Sequence, residues 1–81
     1  MTTEATLEKL VRVFASQLKI DPSEVTRETS MDSLDKWDSL RHMRLILAIE
    51  EEFSIEFSDD EVADMTSVAI IMESIGEHIG L

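Results

Sequence analysis

Apolar residues recur along this chain at intervals of three and four, the spacing that places them on one face of an α-helix. The spacing predicts a first helix over 4–18, a second over 40–53, a short third after Ser58 and a last one that ends at Gly80. Strict apolar and polar alternation, which marks β-strands, is scarce. The sequence therefore predicts an all-α fold, a small four-helix bundle of three main helices and a short third helix.

Two polar stretches join the first helix to the second. Asp21-Pro22-Ser23-Glu24 places an N-cap residue before a proline and predicts a short helical turn. A long connection, 26–37, follows, and its apolar side chains are Met31, Leu34 and Trp37. Because irregular chain of this length in a compact domain is usually functional or anchored, we expect these side chains to anchor it on the bundle.

The second helix carries two apolar stripes when each residue is advanced by about 100° around the axis. The stripe that suffices to face a core consists of Leu45, Ile46, Ile49 and Phe53. The other stripe lies well away from it and consists of Leu40, Met43 and Leu47. This second stripe either packs on the connection 26–37 or is an exposed contact surface for other proteins.

The composition limits what such a bundle can do. Its 81 residues are enough for one small domain, 1–81. Eighteen Asp and Glu against seven Lys and Arg leave a net charge of −11, which disfavours nucleic acid and anionic membranes as partners. The chain has no cysteine, so disulfides and thiolate metal sites are excluded. We expect a free-standing, cytoplasmic monomer.

A metal site is not predicted either. No segment has the Asp-x-[Asp/Asn]-x-[Asp/Asn]-Gly loop of an EF-hand, the first alternative for a small acidic helical chain. His42 and His78 are far apart in sequence and are poor candidates for a metal-binding pair.

The start of the second helix holds the most specific motif of the chain. Trp37-Asp38-Ser39-Leu40 is followed, at the end of the same helix, by Ile49-Glu50-Glu51-Glu52-Phe53. This combination resembles the acyl carrier protein family, whose hallmark is Asp-Ser-Leu opening the second of four helices. The resemblance covers nearly the whole chain. It implies that Ser39 receives a 4′-phosphopantetheine arm from coenzyme A, and that the thiol of the arm carries acyl groups as thioesters.

The resemblance also implies partners and further site residues. Asp38 and Leu40 flank the attachment site, and Asp38 belongs to the surface that a phosphopantetheinyl transferase reads. The protein is then a non-catalytic carrier that serves acyl-loading, synthase or acyltransferase enzymes of fatty acid, polyketide or related biosynthesis. The residues expected to contact partners are Leu40, Arg41, Met43, Arg44, Leu47, Glu50 and Glu51.

A second Asp-Ser-Leu, at residues 32–34, offers Ser33 as a rival attachment site. Counting forward from Ser33 by the distance between Ser39 and Phe53 reaches Leu47, in the middle of the second helix, with no acidic cluster before it. The spacing therefore favours Ser39.

Positive charge at the start of the second helix departs from what is common in carriers of fatty acid synthesis. Arg41, His42 and Arg44 lie where exposed cations oppose the helix dipole at a cost of about 0.3–1 kcal/mol each. Asp38 can be reached from Arg41 and His42. The other candidate anions are the phosphate on Ser39 and an acidic patch on a dedicated partner. The pattern suggests a carrier of a specialised pathway.

Two other functions remain open at this stage. The same fold could carry amino acids, as a peptidyl or aminoacyl carrier of a nonribosomal-type pathway. Alternatively, the chain could be an unmodified helical interaction module whose docking surface is the stripe of Leu40, Met43 and Leu47.

The excess of acidic residues should also affect stability. Because these carboxylates repel one another, we expect added salt or divalent cations to raise the melting temperature of the domain. Thermal unfolding followed by circular dichroism at increasing NaCl or MgCl2 measures this. A melting temperature that stays constant from low to moderate salt contradicts the expectation.

Overall fold

The computed structural model describes residues 3–80 and forms four α-helices in that part of the chain. These are α1 (Thr3–Leu18), α2 (Ser39–Phe53), α3 (Asp59–Asp64) and α4 (Val68–Ile79), with a single 3₁₀ turn at Pro22–Glu24. No β-strand occurs within 3–80. The all-α prediction with a short third helix is confirmed. No helix in this part of the chain is long and apolar enough to cross a membrane.

Capping residues bound the last two helices, and the boundaries at Ser58 and Gly80 are those predicted. The Ser58 hydroxyl accepts a hydrogen bond from the Glu61 backbone N–H at 3.2 Å, at the start of α3. The Ser67 hydroxyl accepts one from the Ile70 N–H at 3.3 Å, at the start of α4. Gly80 ends α4 with a φ of 80°, a left-handed conformation that glycine adopts without strain.

The core is formed by the apolar faces of the main helices, with α1 packed mainly on α2. Its members include the predicted inward stripe of α2, and burial of such side chains from water is the dominant stabilising term in a bundle. The least exposed apolar residues of the core are Leu10, Phe14, Trp37, Leu45, Ile49, Met65, Val68, Ile71 and Ile75.

The connection before α2 is anchored, as predicted, and Trp37 is its main anchor. The indole is only 1% exposed. Its ring packs edge-to-face on Phe14 of α1, with centroids 4.9 Å apart and planes at 88°, an arrangement that aromatic pairs favour. Met31 and Leu34 are half-buried and pack against the same core.

Backbone hydrogen bonds, which the sequence pattern does not reveal, give the connection a second anchor. The Val68 N–H donates to the Thr29 carbonyl at 2.9 Å, and the Met31 N–H donates to the Thr66 carbonyl at 3.0 Å. The buried Thr29 hydroxyl also donates to the Glu24 carbonyl at 3.1 Å. The connection is thereby joined to the start of α4.

The short helix α3 has no fully buried residue of its own and is held largely by hydrogen bonds. The Ser58 N–H donates to Glu61 Oε1 at 2.9 Å, and His78 Nε2 of α4 lies 3.0 Å from Glu61 Oε2. The Ser58 N–H lowers the pKa of Glu61 below its ordinary value, and His78 adds to this, against a smaller opposing effect of burial. Edge-to-face contact with Phe57, at 5.3 Å, orients the His78 ring.

Candidate functional site

Asp38 fixes the start of α2 through both oxygens of its carboxylate. Oδ1 accepts a hydrogen bond from the Arg41 backbone N–H at 2.8 Å, which makes Asp38 the N-cap. Oδ2 pairs with Nη1 of the Arg41 guanidinium at 2.7 Å. Both side chains are about half exposed, so the pair orients the side chains more than it stabilises the fold.

Ser39 is the first residue of α2, and its side chain is exposed. Within residues 3–80 its hydroxyl makes no hydrogen bond, and the N–H groups of Ser39 and Leu40 have no acceptor. Unpaired N–H groups and the positive end of the helix dipole favour a negative group here. The start of α2 is thus chemically suited to a phosphodiester next to the hydroxyl.

Ser33, the serine of the other Asp-Ser-Leu, lies in a different setting. Its hydroxyl donates to the Ser30 carbonyl at 3.1 Å and accepts from the Ser30 N–H at 2.9 Å. The Ser33 N–H in turn donates to the Ser30 hydroxyl at 3.2 Å. The Ser33 hydroxyl is therefore part of a turn and does not begin a helix.

The second apolar stripe of α2 is exposed. Leu40 is 75% exposed, Met43 55% and Leu47 58%, so the alternative that this stripe packs on the connection is wrong. An exposed apolar strip that begins directly after Ser39 has the character of a protein contact surface. Arg44 and Glu51 are exposed on the same side of the helix.

A shallow depression adjoins Ser39 between α2 and α3. Its volume is about 470 Å³, and it is lined by Met31, Ser39, His42, Met43, Asp59, Val62 and Ala63. The apolar side chains on its walls make it a surface on which a group attached near Ser39 could rest.

His42 is a core residue of α2, which corrects the expectation that it adds an exposed cation paired with Asp38. It is 9% exposed. The Trp37 indole N–H donates to its Nδ1 at 2.9 Å, and its Nε2 lies 3.0 Å from the Val62 carbonyl of α3. Because the indole can only donate and the carbonyl can only accept, this geometry selects the neutral ring with its proton on Nε2.

The two arginines of α2 differ in their pairing. Arg41 is paired with Asp38, one of the three candidate anions. No carboxylate within residues 3–80 lies within 4.0 Å of the Arg44 guanidinium. Arg44 is therefore available to an anion from outside the described chain.

The two acidic residues predicted to contact partners also differ. Glu50 is half-buried, and its Oε2 accepts a hydrogen bond from the Phe57 N–H at 2.8 Å. Glu50 thus holds the loop between α2 and α3, a role that the sequence did not indicate. Glu51 is exposed and lies beside the stripe that contains Leu47.

Within residues 3–80 no cluster of three or more histidine and acidic side chains could hold a metal ion. His42 lies in the core, and His78 is bound to Glu61. The two histidines contact α3 from different helices and do not form a pair.

Comparison with known proteins identifies the family. The family model for the phosphopantetheine attachment site matches residues 8–75, most of the chain. This chain belongs to the acyl carrier protein family. Proteins of this family carry acyl groups and do not catalyse reactions themselves, and their prosthetic group is 4′-phosphopantetheine.

Similar proteins cover almost the whole chain. An acyl carrier protein of Thermosynechococcus vestitus is 34% identical over 79 residues, 98% of either chain. One of Rubrobacter xylanophilus is 36% identical over 78 residues, 96% of either chain. The fold matches the solution structure of the holo acyl carrier protein of Geobacter metallireducens with a TM-score of 0.83 and 32% identity, over 93% of this chain and 86% of that one.

Sequence reasoning missed His42 although the helical pattern contained the signal. His42 lies about 200° from Leu40 around the helix, in the middle of the inward stripe, and only its residue type suggested a surface position. Glu50 had no comparable signal, since its hydrogen bond depends on where the loop brings Phe57.

Removal of the His42 ring should be costly. In His42→Ala the Trp37 N–H and the Val62 carbonyl lose their partner and a cavity forms, so the free energy of unfolding should fall by about 2–4 kcal/mol. Urea denaturation followed by Trp37 fluorescence measures the loss.

The matched control is His78→Ala, which removes the other histidine that contacts α3. Its partner Glu61 is solvent-accessible, so this change should cost about 1 kcal/mol or less. Equal losses in the two variants contradict the structural role assigned to His42.

Proposed function

We propose that Ser39 bears the 4′-phosphopantetheine arm and that the chain, as a single carrier domain, presents acyl groups to partner enzymes. One observation carries this proposal: Ser39 has an exposed hydroxyl, unbonded within residues 3–80, at the first residue of a helix. Asp38 and Leu40 complete the Asp-Ser-Leu motif around it. The phosphodiester formed on Ser39 gains from the free N–H groups and the dipole of α2.

The geometry of Ser33 argues against it as the attachment site. Its hydroxyl already exchanges hydrogen bonds with the Ser30 backbone, and modification would break that turn. No helix begins at Ser33 to stabilise a phosphodiester. The two Asp-Ser-Leu motifs therefore differ in structure even though their residues are the same.

Ser39 contributes an accessible oxygen to the attachment, and the transferase supplies the rest. In the transfer the Ser39 oxygen bonds to the phosphorus that bears pantetheine in coenzyme A, the diphosphate bond breaks, and adenosine 3′,5′-bisphosphate leaves. The hydroxyl proton passes to the transferase. Both ring nitrogens of His42 are engaged, so this histidine is not placed to act as the base.

Once attached, the arm supplies a thiol that holds acyl groups as thioesters. The chain's own residues present that cargo by docking on partner enzymes. The exposed stripe of Leu40, Met43 and Leu47 offers apolar contact area next to Ser39, and Arg44 and Glu51 border it. Because the first half of α2 carries the cations Arg41 and Arg44, we propose that the partners belong to a specialised pathway, such as polyketide or related lipid biosynthesis.

Incubation with coenzyme A, Mg²⁺ and a broad-specificity phosphopantetheinyl transferase should add one phosphopantetheine to the chain. Intact mass spectrometry should detect this gain in the wild type and in Ser33→Ala, and no gain in Ser39→Ala. Ser33→Ala is the matched control because it changes the same residue type in the same tripeptide.

The starting mass establishes that no arm is already attached, and a known carrier modified in parallel establishes that the transferase is active. With those controls in place, an unmodified wild type argues for the interaction-module function. Modification that is lost in Ser33→Ala instead assigns the arm to the other motif.

A further inference from the structure

Four of the seven basic side chains of this acidic protein line one depression. Lys19 follows α1, Lys36 belongs to the connection, and Arg41 and Arg44 lie in the first half of α2. Together with Gln17 and Leu18 they enclose about 260 Å³. A chain with a net charge of −11 thus brings most of its positive charge to the helix end that carries Ser39. We name these four residues the basic cluster.

Most of this positive charge has no anionic partner within residues 3–80. Arg41 alone forms an ion pair, with Asp38 at 2.7 Å. The Lys36 ammonium donates to the Lys19 backbone carbonyl at 3.3 Å, a contact that leaves its charge uncompensated. No carboxylate of residues 3–80 lies within 4.0 Å of Lys19, Lys36 or Arg44. Mutual repulsion therefore opposes the clustering. Asp21, Glu24 and Asp35 line an adjoining depression with Lys19 and Lys36, but they form no ion pair with either lysine.

The charge on the exposed side of α2 changes from positive to negative along the helix. Arg41 and Arg44 lie near Ser39, whereas Glu51 and Glu52 lie at the far end of the helix. The apolar stripe runs between these ends, and Arg44 lies only about 40° from Leu40 around the axis. Acidic groups on a docking surface are therefore favoured beside Arg41 and Arg44, and basic groups are favoured beside Glu51 and Glu52.

We infer that the basic cluster binds a carboxylate-rich surface of a partner protein, next to the point where the arm leaves Ser39. That position rests on the proposed function, but binding itself does not need the arm. Lys19, Lys36 and Arg44 form no ion pair, and their three charges exceed the single negative charge of a phosphodiester. The adjoining apolar stripe suits a protein surface and not a small anion. Nucleic acid is repelled by the other faces of the chain.

The test uses the unmodified full chain, labelled with ¹⁵N, and hexaglutamate as the probe. The salt concentration is kept near 100 mM, where charges interact over about 10 Å, so that the distant acidic faces of the chain are screened from the probe. Hexaglutamate should shift the amide signals of Lys19, Lys36, Arg41 and Arg44 more than those of the rest of the chain. Hexalysine should instead shift the amide signals of the acidic faces and leave those of the basic cluster largely unchanged.

Charge reversal identifies the residues responsible. The double variant that combines Lys36→Glu and Arg44→Glu should bind hexaglutamate roughly tenfold more weakly or worse, because two attractive contacts become repulsive. Arg12→Glu with Arg27→Glu makes the same change in net charge outside the basic cluster and should leave most of the binding intact. The wide dispersion of the amide signals should persist in both double variants, which checks that both remain folded.

Three results overturn the inference: shifts spread evenly over the chain, equal losses in the two double variants, or an equal or larger effect of inorganic phosphate at the same charge concentration. The last result makes the basic cluster a phosphate site. Because the titration is performed without the arm and can be repeated in Ser39→Ala, its failure is distinct from failure of Ser39 to be modified.

Discussion

Burial of Trp37 is the interaction on which the rest of the structure depends. Its ring packs on Phe14 of α1, and its N–H donates to His42 of α2, which in turn contacts the Val62 carbonyl of α3. A single side chain of the connection thereby joins three helices. A buried N–H without an acceptor costs about 1–3 kcal/mol, so the neutral His42 ring is needed for Trp37 to remain in the core.

This anchor determines where the functional residues lie. Asp38 follows the buried indole directly and caps α2, so Ser39 emerges at the surface with its hydroxyl exposed. Since His42 belongs to the inward face of α2, Leu40 and Met43 must point to solvent. The same anchored connection brings Lys36 close to the end of α1, where it adds to the positive charge near Ser39. Burial of Trp37 thus both stabilises the fold and positions the carrier surface.

Local patterns in the sequence were enough to predict the helices and the two apolar stripes of α2, whereas the exposure of the second stripe was left open. The spacing of three and four depends on neighbours within a turn or two. The features that were missed all depend on contacts between distant segments. His42 has partners in the connection and α3, Glu50 bonds to a loop, and the basic cluster combines residues from three elements. The spacing of apolar residues along one helix does not indicate contacts between distant segments.

The neutral imidazole of His42 links the connection to the helices around Ser39. Nitrogen-15 NMR of the histidine rings at neutral pH tests this most directly. We expect the His42 signals of a ring protonated on Nε2 only, together with a Trp37 indole proton that exchanges slowly with solvent. A His42 ring protonated on Nδ1, or an indole proton that exchanges as fast as in an unfolded chain, contradicts the account.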